Sequence, residues 1–231
     1  MLSEDPFLAG RKSTVLFQEH WHKGVVGIVA SRLIEQYYKP TIILTESEGL
    51  VTGSARSVDG FDLYQALDAC SDLLESFGGH MYAAGVTLKK ENVDTFRNKF
   101  EEVVEASITD EMLVPRIDVD DEIDFSVIDE GFYRVLIQMS PFGPGNMTPV
   151  FVTRGVRDIG TGRAVGNNGD HLKLDLVQEK DPARPFPAIA FNQAHHLPKI
   201  GALMDICYTI EENSFRGNTT LQLQIKDIKP A

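Results

Sequence analysis

The sequence predicts an α/β domain over residues 1–110, followed by an all-β domain of the OB-fold barrel type over residues 147–231. Three observations lead to this prediction. In the first part, short apolar strands alternate with amphipathic helices, which is typical of an α/β unit with a mixed sheet. In the last part, strands follow one another with hairpin-type turns between them. Between the two, residues 111–146 are acidic and contain one short helix before PFGPGN, so they are predicted to form a linker.

The strands and helices of the first domain are predicted from their hydrophobic period. In the first helix, Val25, Ile28 and Val29 recur at helical spacing, which predicts an apolar face. The second helical segment starts with Asp62 and Gln65, spaced as in a capping box. The predicted strands are 14–18, 41–45, 50–57 and 83–89, and the predicted helices are 24–38, 59–77 and 91–108.

The second domain is predicted from a change of pattern to short strands. The turns NNGD and FRGN join two of the strand pairs, and the stretch QAHHLPKIG interrupts the strands. Five strands with an interrupting segment fit a small closed barrel such as the OB-fold better than a sandwich. The predicted strands are 149–158, 163–166, 171–179, 186–192, 204–212 and 219–228.

Composition limits the function classes. The chain has 231 residues, 42% of them apolar, and a formal net charge of -12. Because that charge repels polyanions at long range, a nucleic-acid site must be a local basic pocket. Cys70 and Cys207 lie in apolar contexts, which predicts buried thiols in a reducing, cytoplasmic compartment. No apolar run is long enough to cross a bilayer and no signal-peptide pattern is present, so no membrane partner is expected.

The stretch GSARS is the candidate anion site. Arg56 lies among Gly53, Ser54, Ala55 and Ser57, small residues that allow backbone N–H groups and hydroxyls to converge beside a guanidinium. Such a setting suits a phosphate group. GSARS lacks the Lys-Ser/Thr ending of a Walker motif, so it does not predict nucleotide triphosphate binding.

The histidines have both structural and functional interpretations. His80 follows Gly78 and Gly79, and this stretch is interpreted either as a tight helix-to-strand turn or as the wall of a site. His20 and His22 have metal-ligand spacing, but a third ligand is missing nearby, which favours a structural role. The acidic stretch DVDDEID lacks the glycine of a calcium loop. The sequence therefore predicts no metal site in this chain.

Three blocks of the sequence resemble the C-terminal half of RecJ, the family of single-strand-specific DNA exonucleases of bacteria. They are WHKGVVGIVASRL, GSARSVDGFDLYQALDACSDLLESFGGHMYAAG and SPFGPGNMTPVF, and they occur in the family's order and spacing. The first two resemble the DHHA1 domain, and the remainder is similar to the RecJ OB-fold domain.

The resemblance implies roles for individual residues. His80 would lie near the scissile phosphate as a catalytic residue. Gly78 and Gly79 would let the backbone approach the substrate. Substrate binding would also involve Ser54, Arg56, Ser57 and His22.

The chain departs from the family pattern in one large respect. RecJ-like enzymes hold two divalent ions, Mn²⁺ or Mg²⁺, in an N-terminal DHH domain, and this sequence contains no Asp-His-His motif. The resemblance thus implies a part that grips single-stranded DNA for a 5′-to-3′ exonuclease of recombination and repair, inactive by itself. Its implied partners are single-stranded DNA, the missing DHH domain and other repair proteins.

Other functions stay open at this stage. The chain could belong to a DHH/DHHA1 phosphoesterase of short RNA or cyclic dinucleotides, or to a protein-binding or scaffolding module. A DHHA1 domain like that of alanyl-tRNA synthetases fits the glycine stretch but not the downstream barrel. In the barrel, strand alternation shows which residues share a face but not which face contacts DNA. The candidates there are Arg154, Arg157, Arg163, Lys173 and Phe191.

Overall fold

The computed structural model describes residues 10–215 and 217–231. The chain divides into two compact units between Arg116 and Ile117. Residues 117–146, predicted as part of a linker, therefore belong to the second unit. The physical reason is burial, because Phe125, Ile128 and Leu136 lie in the hydrophobic core of that unit.

The first unit contains a five-stranded mixed sheet with helices, as predicted. The strand order is β1-β2-β3-β5-β4, in which only the β1–β2 pair is parallel. The strands are β1 (Thr14–Phe17), β2 (Thr41–Ser47), β3 (Leu50–Arg56), β4 (Ser76–His80) and β5 (Ala83–Leu88). The helices are α1 (Val26–Tyr37), α2 (Leu63–Asp68) and α3 (Val93–Ser107).

The two faces of this sheet are covered differently. Strand residues such as Val51 and Val86 form one large core with Phe96 and Phe100 of α3. On the other face, α1 packs on Ile43 through a small cluster of Val26 and Ala30, with Leu16 and Leu33 partly buried beside it. The second face is therefore only partly covered by apolar packing.

The apolar face predicted for the first helix is wrong. Val25, Ile28 and Val29 are 43%, 64% and 39% exposed. The helix instead packs through Val26, Gly27 and Ala30, whose small members allow it to lie close to the sheet. Three adjacent apolar side chains are therefore left facing solvent.

The second predicted helix is shorter than the sequence suggested. Its capping interaction is confirmed, since the Gln65 N–H donates to Asp62 Oδ1 over 3.1 Å. The helix ends at Asp68, and the residues that follow form a short 3₁₀ turn and then strand β4. Glycine pairs are poor helix formers, and pairing with β5 satisfies the backbone of Gly78 and Gly79 instead.

The second unit is built from strands, as predicted. The sheet order is β6-β7-β11-β12-β10-β9-β8, and β7 also pairs with β9. The elements are β6 (Asp121–Glu122), α4 (Glu130–Ile137), β7 (Phe151–Asp158), β8 (Arg163–Val165), β9 (His171–Gln178), β10 (Asp181–Ala190), β11 (Met204–Phe215) and β12 (Asn218–Pro230). A 3₁₀ segment, Ala194–Lys199, separates β10 from β11 where the sequence predicted an interruption.

The two cysteines are buried and unpaired. Burial raises the pKa of the Cys70 thiol to about 11 and also raises that of Cys207. Both thiols are therefore protonated near neutral pH and unreactive. Among the helices of residues 10–215 and 217–231, none is long and apolar enough to cross a bilayer.

Candidate nucleic-acid interface

Arg56 lies at the end of β3 with its guanidinium held by its own strand. Its Nη1 donates to Ser54 Oγ over 2.7 Å and to the Ala55 carbonyl over 2.8 Å. No carboxylate of the described residues forms an ion pair with it. A guanidinium carries five N–H donors, so this side chain keeps a positive charge and free donors for an anion.

The start of helix α1 lies beside this guanidinium. A Cβ atom on Gly27 would come within 3.1 Å of Arg56 Nη2 and 3.3 Å of Ser54 Oγ, so only a glycine leaves both groups undisturbed. Within the described chain, α1 has no side-chain N-cap and no acidic residue in its first turn. The open N–H groups of the first turn, the Arg56 guanidinium and the Ser54 hydroxyl therefore favour an anion at one place.

Two rows of residues run across the sheet from this point. In the first row, Arg56 pairs with Ala83, which pairs with His80. Paired residues of neighbouring strands point to the same face, and the spacing between strands places the backbones of Arg56 and His80 about 10 Å apart.

The second row continues the same surface with very small side chains. Ser54 pairs with Gly85, which pairs with Gly78. A Cβ atom on Gly78 would meet nothing within 4 Å, so the backbone there is open to a ligand. We call this surface the shelf, and it consists of Ser54, Arg56, Gly78, His80, Ala83 and Gly85.

The two glycines of GGH have different functions. Gly79 points to the other side of the sheet and has φ +150°, a conformation that L side chains rarely adopt. A Cβ atom there would lie 2.2 Å from the Ala83 carbonyl oxygen. Gly79 is therefore required by the fold, whereas Gly78 keeps the shelf open. The interpretation of GGH as a helix-to-strand turn is wrong, because these residues belong to an edge strand.

His80 ends this edge strand with its ring exposed. Its Nδ1 accepts a hydrogen bond from the Tyr82 N–H over 3.2 Å. A ring nitrogen that accepts carries no proton, so the neutral imidazole has its proton on Nε2. The other ring nitrogen of His80 can therefore donate to a phosphate oxygen.

Two other predicted site residues have structural contacts. The Ser57 hydroxyl donates to the Phe61 carbonyl over 2.7 Å, and the Ser57 N–H donates to the Tyr82 carbonyl over 3.0 Å. His22 lies in the exposed turn before α1, where its Nδ1 accepts from the Gly24 N–H over 3.0 Å. In the described chain, neither residue shares a hydrogen bond with Arg56 or His80. The structure thus brings together Ser54, Arg56, Gly78 and His80, while Ser57 and His22 hold the turns around them.

In the second unit, the outer face of β8, β9 and β10 carries the cationic side chains. Arg163 pairs with Lys173, and Lys173 pairs with Ile189. The alternate residues of β9, such as Leu172, are buried in the core. Phe191 is 48% exposed and its ring lies 5.2 Å from that of His171. Cations and an exposed aromatic ring therefore share one face.

Two other arginine candidates lie on β7. Arg154 donates to Glu122 over 2.8 Å and to Asp205 over 2.9 Å. These two carboxylates raise the pKa of Arg154, with the hydrogen bond to Glu122 as the largest cause. The guanidinium stays protonated, and the two ion pairs offset its positive charge. Arg157 is exposed and pairs with Val177 of β9. Arg154 is therefore unsuited to phosphate contact, a conclusion that strand alternation alone could not provide.

A buried carboxylate orders the connection that leads to Arg163. Asp158 is 5% exposed and accepts backbone hydrogen bonds from Gly160, Gly162 and Asp175 at 2.7, 2.9 and 3.0 Å. The bonds from Gly160 and Gly162 hold the β7–β8 connection in one conformation, and the bond from Asp175 ties it to β9. The backbone of Arg163, which directly follows Gly162, is therefore held in a defined position.

Comparisons with known proteins match both units to named families. The DHHA1 domain model matches residues 10–106, and the RecJ OB domain model matches residues 119–227. The chain contains a DHHA1 domain followed by a RecJ OB domain. It corresponds to the C-terminal, DHHA1 and OB part of RecJ proteins.

Individual RecJ proteins are similar over nearly the whole chain. The single-stranded-DNA-specific exonuclease RecJ of Bacillus subtilis is 35% identical over 92% of this chain, and that of Haemophilus influenzae is 34% identical over 93%. A crystal structure of RecJ from Thermus thermophilus with Mg²⁺ superimposes with a TM-score of 0.73 and 25% identity over 96% of this chain and 33% of that one. The chain spans 27% and 38% of the length of the Bacillus and Haemophilus relatives.

The Thermus RecJ structures were solved with Mg²⁺ or Mn²⁺. In residues 10–215 and 217–231 of this chain, no group of three or more His, Cys, Asp or Glu side chains is placed to hold a metal ion. The residues described here thus do not fit such an ion.

Two parts of the candidate site were not predicted from the sequence. Gly27 was placed in a helix but not beside Arg56, because contact between α1 and β3 depends on the tertiary structure. Tyr82, which lies between His80 and Ala83 of the first row, was the second part. An aromatic residue two positions after GGH was the available signal.

Proposed function

We propose that this chain is the substrate-binding part of a single-stranded-DNA-specific exonuclease that acts from 5′ to 3′ in DNA recombination and repair. The first unit binds the terminal 5′-phosphate on the shelf, and the second unit binds the strand that follows. Hydrolysis requires Mn²⁺ or Mg²⁺ held by a companion DHH domain, so the chain alone is inactive. The observation that carries this proposal is the Arg56 guanidinium, which has no carboxylate partner among the described residues and lies beside Ser54 and the open start of α1.

The shelf suits a sugar-phosphate chain because hydrogen-bond donors lie at both of its ends and its floor carries only small side chains. Arg56 and Ser54 lie at one end, and His80 can donate from Nε2 at the other. Between them, Gly78 and Gly85 leave room for the sugar-phosphate backbone. His80 is the proposed catalytic residue, as a hydrogen-bond donor to the scissile phosphate and not as a base.

We further propose that the second unit is a closed OB barrel. The pairings β7–β9, β9–β10, β10–β12, β12–β11 and β11–β7 form a ring of five strands. In OB-folds the face of the second and third strands contacts oligonucleotides, and these correspond to β9 and β10. Lys173, Arg163 and Phe191 lie on that face and combine charge with a stacking surface.

The test of the proposal as a whole is the preference for a 5′-phosphate. A fluorescent single-stranded oligonucleotide should bind about tenfold more tightly when it carries a 5′-phosphate than when it ends in a hydroxyl, because one to two charge-assisted hydrogen bonds are gained. Fluorescence anisotropy at two salt concentrations measures both affinities. Equal affinities for the two ends would contradict a terminal phosphate site.

Replacing Lys173 tests the strand-binding face. Lys173→Ala should lower affinity for single-stranded DNA at low salt and reduce the slope of log K against log salt by about 0.7, the contribution of one phosphate contact. Arg154→Ala is the matched control, because two carboxylates already neutralise that side chain. A larger effect from Arg154→Ala than from Lys173→Ala would place the strand elsewhere.

A second candidate function is a protein-binding module. The exposed apolar side chains Val25, Ile28 and Val29 on α1 favour a protein contact, and the companion DHH domain or another repair protein are candidate occupants. The same titration separates the two functions. Binding of single-stranded DNA that weakens steeply with salt supports the nuclease role, whereas absence of DNA binding at low salt supports the protein-binding role.

A further inference from the structure

The tip of the β4–β5 hairpin presents two large side chains next to the shelf. The tip consists of Met81 and Tyr82, because His80 and Ala83 form the last pair of the two strands. Met81 is 36% exposed and Tyr82 is 47% exposed. Both side chains are therefore accessible to a ligand beside the shelf.

This tip is rigid although it lies on the surface. The Met81 carbonyl accepts from the Leu63 N–H over 3.1 Å at the start of α2. The Tyr82 carbonyl accepts from the Ser57 N–H over 3.0 Å, next to Arg56. The Tyr82 N–H donates to His80 Nδ1. Three backbone groups of this two-residue turn are thus held by hydrogen bonds. The Cα positions from which the two side chains project are therefore well defined.

The Tyr82 ring has a surface available for a ligand. Its centroid lies 6.1 Å from that of His80 at an interplanar angle of 69°. An edge-to-face contact of this kind covers at most one face of the ring. Tyr82 also lies in the turn between His80 and Ala83, two members of the row that contains Arg56.

We propose that Tyr82 is a stacking platform for a nucleobase, that of the nucleotide whose phosphate lies on the shelf. This inference rests on the proposed function. In a nucleotide the base extends from the sugar beside its phosphate, so an aromatic ring next to His80 is placed to meet the base of a nucleotide bound on the shelf. Every base has a π-face, and stacking therefore holds the nucleotide without selecting its sequence. Met81 supplies a polarizable side chain beside the ring.

The experiment compares two 5′-phosphorylated oligothymidylates that differ only in whether the first nucleotide carries its base or is abasic. Affinities of the wild-type chain and of Tyr82→Ala are measured by anisotropy. Tyr82→Ala should weaken the base-containing ligand about tenfold and leave the abasic ligand unchanged, while Tyr82→Phe should retain wild-type affinity for both. Because the tip is held through backbone groups, Tyr82→Ala should melt like the wild type.

Arg56→Ala in the same titrations distinguishes the two levels of the proposal. Loss of affinity for both ligands in Arg56→Ala, with Tyr82→Ala affecting only the base-containing one, supports both. If Arg56→Ala weakens both ligands but Tyr82→Ala affects them equally or not at all, the stacking platform is overturned and the phosphate site stands. Wild-type binding that is undetectable at low salt, or insensitive to Arg56→Ala, overturns the phosphate site and the platform with it.

Discussion

Gly79→Ala should destabilise the first unit by about 3 kcal/mol or more, because two costs coincide at this position. The residue has φ +150°, which disfavours any L side chain. The added methyl carbon would also lie 2.2 Å from the Ala83 carbonyl oxygen and 2.5 Å from Ala84 Cα. Both neighbours are backbone atoms of the paired strand, so relief requires that β4 separate from β5.

The neighbouring glycine is the matched control. Gly78→Ala places its methyl group in open space, and Gly78 is not among the residues with positive φ. The free energy of unfolding of the Gly78→Ala variant should differ from that of the wild type by no more than about 0.5 kcal/mol. The same methyl group would project from the shelf, so Gly78→Ala should bind 5′-phosphorylated DNA more weakly while folding normally.

Tryptophan fluorescence measures this difference in the first unit. The chain has one tryptophan, Trp21, which precedes α1 in that unit. Its emission during urea titration reports unfolding of the first unit separately from the second. A Gly79→Ala transition that coincides with the wild-type transition would contradict the strained geometry assigned to this strand.

The sequence predicted the units and most of their strands because hydrophobic period is a local property. The cap formed by Asp62 and Gln65 was also predictable, because its two residues are only three positions apart in the sequence. Exposure of Val25, Ile28 and Val29 was not predictable, since two faces of α1 carry apolar residues and only contact with Ile43 decides between them. Local patterns identify an amphipathic segment but do not choose among competing apolar faces.

Predicting the site had a similar limit. GSARS and GGH were recognised as small-residue stretches, but their alignment depends on β5 lying between β3 and β4. Strand order is a long-range property, so neither stretch reveals that Arg56 and His80 lie in one row. Charge pairing is equally non-local, since Arg154 is neutralised by Glu122 and Asp205 from distant parts of the chain.

Arg56→Ala should remove the preference for a 5′-phosphate almost completely. The guanidinium has no carboxylate partner among the described residues, so its charge is available to a phosphate and is not shared with an ion pair. Loss of its charge-assisted hydrogen bonds should cost about 1.4 kcal/mol, or roughly tenfold in affinity for the phosphorylated oligonucleotide, which is the whole of the expected preference. Affinity for the 5′-hydroxyl oligonucleotide should change little.

Two further variants identify which property of the side chain matters. Arg56→Lys keeps the charge but loses the planar fork that contacts Ser54, so it should restore only part of the preference. Ser54→Ala leaves the guanidinium in place and removes one of the two acceptors that orient it, so its loss should be smaller than that of Arg56→Ala. The ratio of the two affinities, phosphate over hydroxyl, is the measured quantity for each variant.

The ratio is informative because the second unit also binds the strand. Contacts on the β9–β10 face contribute equally to both oligonucleotides and cancel in the ratio, whereas a contact to the terminal phosphate does not. If Arg56→Ala lowers both affinities by the same factor, Arg56 contacts an internal phosphate, and the shelf does not recognise the 5′ end. If the ratio falls to about one while hydroxyl affinity persists, the terminal phosphate lies against Arg56 and Ser54.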